Sequence, residues 1–99
     1  MFKGVTVITE VLEAVKNALR VTSSVMDEEI TDIIAACKLD LEYAGVVTIV
    51  ETDPLIKRAI TIYAKAQFGL DNQDSEKYQA SYESLKNHLS LCGEYNAIV

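Results

Sequence analysis

Asp27-Glu28-Glu29-Ile30-Thr31-Asp32-Ile33-Ile34-Ala35-Ala36-Cys37-Lys38-Leu39-Asp40-Leu41-Glu42-Tyr43-Ala44-Gly45 is the most regular segment of the chain. Ile30, Ile33, Ile34, Cys37, Leu41 and Ala44 recur at the spacing that puts side chains on one stripe of a helix. Asp27, Glu28, Glu29 and Asp32 crowd the first turns, where the positive end of the helix dipole favours carboxylates. Gly45 follows the last periodic residue, the place where a left-handed C-cap is wanted. The segment predicts an amphipathic helix.

Three further helical stripes flank it. Upstream, Val11, Leu12, Val15, Ala18 and Leu19 predict a helix from about Thr9 to Arg20, with Thr9 as a candidate cap, Glu10 and Glu13 early and Arg20 late. Val21-Thr22-Ser23-Ser24 then breaks the pattern with β-branched residues and hydroxyls suited to turns. Downstream, Asp53-Pro54 opens a third helix, with Asp53 or Thr52 as the cap and Pro54 at the first helical position, where its missing N–H costs nothing. Leu55, Ile56, Ala59, Ile60, Ile62, Tyr63, Ala66 and Phe68 give it the broadest apolar surface of the four, and Gly69 is its expected end. A fourth helix, capped by Asp74 or Ser75, carries Tyr78, Tyr82, Leu85, Leu89 and Cys92 and is expected to stop at Gly93, leaving a tail from Glu94 to Val99. Val46 to Val50 reads equally as a strand or as an extended connection, and a small pairing with Val5 to Ile8 is conceivable. The expectation is an all-α fold, a compact bundle of about four helices over residues 1–99 as one domain, with short extended segments near the N-terminus and at 46–50.

Composition agrees with a helical core. The 99 residues are 49% hydrophobic, contain no Trp and only 7% aromatics, so the core is aliphatic. A chain of this size buries roughly 65% of the surface its unfolded form exposes. The formal net charge of -6 repels phosphate and anionic membrane surfaces, which argues against non-specific DNA binding. No apolar run approaches the roughly 20 residues that span a bilayer. Met1 to Ile8 is apolar but short and lacks a small-residue cleavage site, so no secretory signal is expected. Without one, Cys37 and Cys92 are expected as free thiols in a reducing compartment.

Chemistry-bearing constellations are weak. His88 is the sole histidine and has no nucleophile in a local motif with it. Cys37, Cys92 and His88 lack the paired close spacing of a structural zinc site. The acids at 27–32 already have a reason in the helix dipole. The loop from Asp71 to Glu76 lacks the central glycine of a calcium loop and has Gln73 at a ligand position, so it reads as a turn and a cap. Phosphate-binding glycine loops are absent, and the acidic start of the second helix is wrong for a helix that reads DNA. No catalytic, cofactor or metal residue is assigned, and no enzyme activity is expected. Partner contact is the remaining role, with Lys57, Arg58 and Lys65 on the polar side of the third helix, the loop residues Asp71, Asn72, Asp74 and Glu76, and Tyr95 in the tail as candidates.

The order of elements resembles the small phage head-tail connector, or DNA-packaging, proteins of long-tailed bacteriophages. Val11-Leu12-Glu13-Ala14-Val15-Lys16-Asn17-Ala18-Leu19-Arg20-Val21-Thr22 leading into Asp27-Glu28-Glu29-Ile30 is similar to the family's opening helix, "LRV/IT" turn and acidic helix. Ile60 to Gly69, then Ser75-Glu76-Lys77-Tyr78 and Ser81-Tyr82-Glu83-Ser84-Leu85-Lys86, resemble its closing Tyr-rich helix, so the likeness covers nearly the whole chain. The resemblance implies a non-enzymatic homo-oligomeric ring that docks beneath the portal after packaging and joins the filled head to the tail. Its implied partners are the portal and tail-completion proteins. Its implied place is the virion, after synthesis in the host cytoplasm, from a phage or prophage genome. No site residue is carried over, and sequence-specific DNA binding is not implied, though DNA passes through such a ring. Acids lining the lumen would keep a sliding duplex from sticking. The apolar ends, Phe2 to Ile8 and Tyr95 to Val99, either pack on neighbouring subunits or fold back on their own core. The competing reading is a small cytosolic regulatory or antitoxin-like module that binds one partner through the basic third-helix face. A metal-dependent hydrolase using the acids at 27–32 is a third.

Overall fold

The computed structural model describes residues 10–68 and 74–96. Within them the chain is all-α: α1 (Glu10–Leu19), a 3-10 turn at Ser24–Met26, α2 (Asp27–Tyr43), α3 (Pro54–Gln67), α4 (Ser75–Leu91) and a short α5 (Gly93–Asn96). The four long helices are those the apolar stripes predict. The expected Thr9 cap, the pairing of Val5 to Ile8 and the role of Gly69 lie outside the described residues.

α3 is the central element and packs against α1, α2 and α4. Its start is fixed by Asp53, whose Oδ2 accepts hydrogen bonds from the N–H groups of Leu55 (3.1 Å) and Ile56 (3.2 Å), with Pro54 next in line. Ile56, Ala59, Ile60 and Ala64 are completely buried. They meet Val11 and Val15 of α1, Ile30, Cys37 and Leu41 of α2, and Tyr82 and Leu89 of α4 in one core. Removing any one large aliphatic side chain from such a core costs about 2–5 kcal/mol. Tyr63 meets Tyr82 edge-on and Gln67 reaches Gln79, so α3 and α4 run antiparallel. Cys37 and Asp40 of α2 reach Tyr82, and Asp40 also reaches Lys86, so α2 and α4 run parallel.

α1 and α2 end the same way with different residues. At Gly45 (φ 103°) the Val46 N–H bonds back to the Leu41 carbonyl at 2.9 Å and the Gly45 N–H to Glu42 at 3.0 Å, the paired bonds of a Schellman cap. Val46 is buried beside it. At the end of α1 the Val21 N–H bonds to Lys16 (2.9 Å) and the Arg20 N–H to Asn17 (3.2 Å), but the left-handed residue is Arg20, at φ 63°. For a side chain with a Cβ that conformation costs about 1–2 kcal/mol.

The carboxyl-terminal part departs from expectation. α4 stops at Leu91, and Gly93 opens α5 instead of ending a helix. The expected tail is, over residues 93–96, a helical turn packed on α4. Residues 46–50 form no strand; they are an irregular connection held from the side. The N–H groups of Val47 and Thr48 both donate to the Tyr95 carbonyl (2.8 and 3.0 Å), and the Tyr95 hydroxyl donates to Asp53 Oδ2 at 2.9 Å. One residue thus fastens both the connection after α2 and the cap of α3. Asp74 stands at the cap position of α4, though its side chain makes no capping bond there.

Candidate docking surfaces

The polar groups drawn into the interior fix the bundle. The hydroxyl of Tyr82, fully buried on α4, donates to Asp40 Oδ2 at 2.7 Å, and Lys86 Nζ donates to the same oxygen at 3.0 Å. Burial of Asp40 raises its pKa, but the bonds from Tyr82 and Lys86 outweigh this and hold it below the ordinary carboxylate range. The Cys37 thiol lies 3.7 Å from the Tyr82 oxygen, and burial pushes its pKa up to about 12, so it is no nucleophile near neutral pH. Cys37 and Cys92 are both free.

A second buried polar contact ties α1 to α2. Lys16 Nζ lies 2.6 Å from Asp27 Oδ1, with the two side chains 9% and 12% exposed. That oxygen accepts no well-aligned hydrogen bond, so the ammonium compensates it as a charge. Among the described residues no three His, Cys, Asp or Glu side chains come together to hold a metal, and no helix is long and apolar enough to cross a membrane.

The contact candidates read from the sequence are scattered. Arg58 is exposed. Lys57 is half-buried, with Glu10 of α1 3.8 Å away, and Lys65 is half-buried with its ammonium 5.2 Å from the centre of the Tyr78 ring. Asp74 and Glu76 are exposed at the start of α4, while Asp71 and Asn72 lie outside the described residues. Tyr95 is turned inward at 8% exposure and serves the chain's own closure. On α3, Arg58 and Lys65, seven residues apart, project in nearly the same direction and Lys57 about 80–100° from them. Arg20, Lys65, Phe68 and Tyr78 border a shallow hollow where α1 and α3 end and α4 begins.

The largest departures from a covered core lie elsewhere. α2 is apolar on two sides: opposite its core stripe it exposes Ala35, Ala36, Leu39 (50%) and Tyr43 (83%). The acids Glu28, Glu29, Asp32 and Glu42 are exposed on the same helix and form no ion pair among the described residues. Leu55 of α3 and Leu91 of α4 are further exposed apolar side chains. A soluble domain rarely leaves a helix apolar on both sides unless the second side meets a partner.

The family of phage connector proteins matches residues 11–96. The chain belongs to that family. No curated protein and no solved structure gives a significant match. The connector family is structural rather than catalytic.

Sequence reasoning about this connector overlooked three things. The outward Leu39 and Tyr43 are four residues apart and visible in the sequence, but a search for the strongest single stripe passes over a second one. Lys16 lies inside the α1 stripe, and only the placement of Asp27 across the turn makes its burial tolerable. The Asp40, Tyr82 and Lys86 contact joins residues 42 and 46 positions apart, which no local spacing reveals.

Proposed function

We propose that this connector is a subunit of a homo-oligomeric ring that docks below the portal once the genome is packaged and joins the DNA-filled head to the tail. The observation that carries the proposal is the family match across residues 11–96. Residues 1–99 act as one domain in this reading, made in the host cytoplasm and incorporated at the head-tail junction of the virion. Its partners are copies of itself, the portal and tail-completion proteins. The net charge of -6 supports passage of DNA, since a lumen lined by carboxylates repels the duplex instead of gripping it. The alternative of a one-partner regulatory module has less to draw on, because two of the three cations of its basic third-helix face, Lys57 and Lys65, already lie against Glu10 and Tyr78.

The test is native mass spectrometry or light scattering of the purified chain, alone and mixed with a portal ring. Saturable binding to the portal with ring stoichiometry is the expected result. A chain that stays monomeric at high concentration and ignores the portal sinks the proposal.

A further inference from the structure

The outward side of α2 and the outward side of α3 are opposite in charge and cannot meet within one chain. At 100° per residue, Leu39 stands about 160° around α2 from both Cys37 and Leu41, which point into the core. α2 packs on α3 through that core side. The face bearing Leu39 and Tyr43 therefore looks away from α3. On α3, Leu55 (39% exposed) and the exposed Arg58 lie three residues apart at the margin of the core side, Leu55 next to the buried Ala59 and Arg58 next to the buried Ile62. Arg58 forms no ion pair among the described residues, as Asp32 and Glu42 on α2 form none. The molecule thus carries an apolar face edged by carboxylates on α2 and, at the start of α3, a part-exposed leucine beside a guanidinium.

We infer that these two faces are the two halves of one contact between identical chains: the α2 face of one copy, Leu39 and Tyr43 with Asp32 and Glu42, seats on Leu55 and Arg58 of the next. Charge decides between the possible pairings. Two α2 faces brought together would juxtapose carboxylates with carboxylates, so a symmetric dimer through α2 is repelled. Setting α2 against α3 places carboxylates against Arg58 and leucine against leucine. A contact between two different faces of the same chain leaves one of each unused at the ends, so it propagates from copy to copy and gives a ring when the rotation between copies closes. The inference deepens the connector reading and rests on it, but its own content is which faces meet.

The experiment uses two full-length variants that alter exposed charges only, Asp32→Lys with Glu42→Lys for the α2 face and Arg58→Glu for the α3 face, with circular dichroism to confirm the fold. Wild type is expected to form species above monomer in native mass spectra, alone at high concentration or crowded on a portal ring. Each variant alone is expected to lose all of them. Mixed in equal amounts, the two variants pair one unaltered set of faces and one charge-swapped set, lysines against the introduced carboxylate, so the mixture should regain species above monomer in which the two variants alternate. Wild type that is monomeric in both settings, variants that assemble as wild type does, or a mixture that stays monomeric each overturns the inference. Portal binding is scored separately in the same samples. Wild type that assembles but ignores the portal counts against the connector reading while leaving the face assignment standing.

Discussion

Replacing Tyr82 by phenylalanine removes one oxygen from the interior and leaves every ring carbon in place, including the edge-on contact with Tyr63 at a centroid distance of 4.9 Å. What is lost is the donor to Asp40 at 2.7 Å and the acceptor 3.7 Å from the Cys37 thiol. A hydrogen bond to a charged acceptor contributes about 1.5–3 kcal/mol. Here the lower half of that range applies, because Asp40 keeps Lys86 at 3.0 Å and its side chain is 37% exposed, so water replaces part of the lost bond. The thiol is a weak donor and adds little. The expected loss is about 1.5–2 kcal/mol, or roughly 6–16 °C in melting temperature at 4–8 °C per kcal/mol for a domain of this size. Urea melts should show a lower midpoint with an unchanged slope, since the surface exposed on unfolding is the same.

The pH dependence of that loss is a stricter check. The folded pKa of Asp40 lies below its ordinary value, partly because Tyr82 donates to it. A lowered carboxylate pKa contributes stability that is present above the unfolded value, about pH 4, and is lost as pH falls through the lower folded value. The gap between wild type and Tyr82→Phe should therefore hold from neutral pH down to about pH 4 and narrow below it. A neutral-pH loss under about 0.5 kcal/mol, the floor for an ordinary hydrogen bond, or a gap that does not narrow in acid, would refute the reasoning.

Lys16→Met leaves Asp27 buried without its counter-charge and should cost about 3–5 kcal/mol in denaturant melts, while Lys16→Met with Asp27→Leu should recover most of it. Arg20→Gly releases a left-handed strain of about 1–2 kcal/mol against an unfolded-state cost of about 0.5–1 kcal/mol for glycine, so thermal melts should show a small net gain. Gly45→Ala at φ 103° should destabilise by more than about 0.4–1 kcal/mol, although the space around a new Cβ is open. Iodoacetamide followed by mass spectrometry should label Cys92 in the folded protein and reach Cys37 only after unfolding, because the buried thiol stays protonated.

The parts of the fold that the sequence discloses are those written in local chemistry. Ile30, Ile34, Cys37 and Leu41 are all buried, Asp53 and Pro54 start α3 as their types demand, and Gly45 takes the positive φ that only its lack of a Cβ makes cheap. Arg20 does the same work as Gly45 with nothing in its own chemistry to announce it, since the conformation there is imposed by the cap bonds of α1 and the packing beyond. Gly93 was a reasonable stop signal by composition, but glycine tolerates the first position of a short helix as well, and the burial of Tyr95 decides between the two. The docking surfaces were the least legible. Lys57, Arg58 and Lys65 are close in sequence, yet their fates depend on which neighbours, Glu10 or Tyr78, the fold brings alongside. Leu39 and Tyr43 become conspicuous only once the other side of α2 is seen to be covered.

The fastening of Asp53 by Tyr95 spans 42 residues of chain, and its two ends leave the ribosome at different times. At bacterial elongation rates of about 5–20 residues per second, Tyr95 follows Asp53 by roughly 2–8 s. Throughout that interval the nascent connection after α2 lacks its side support, and the Asp53 cap, which holds the Leu55 and Ile56 N–H groups by its own local bonds, lacks its tie to Tyr95. The start of α3 thus gains its last support only once the segment carrying Tyr95 has emerged.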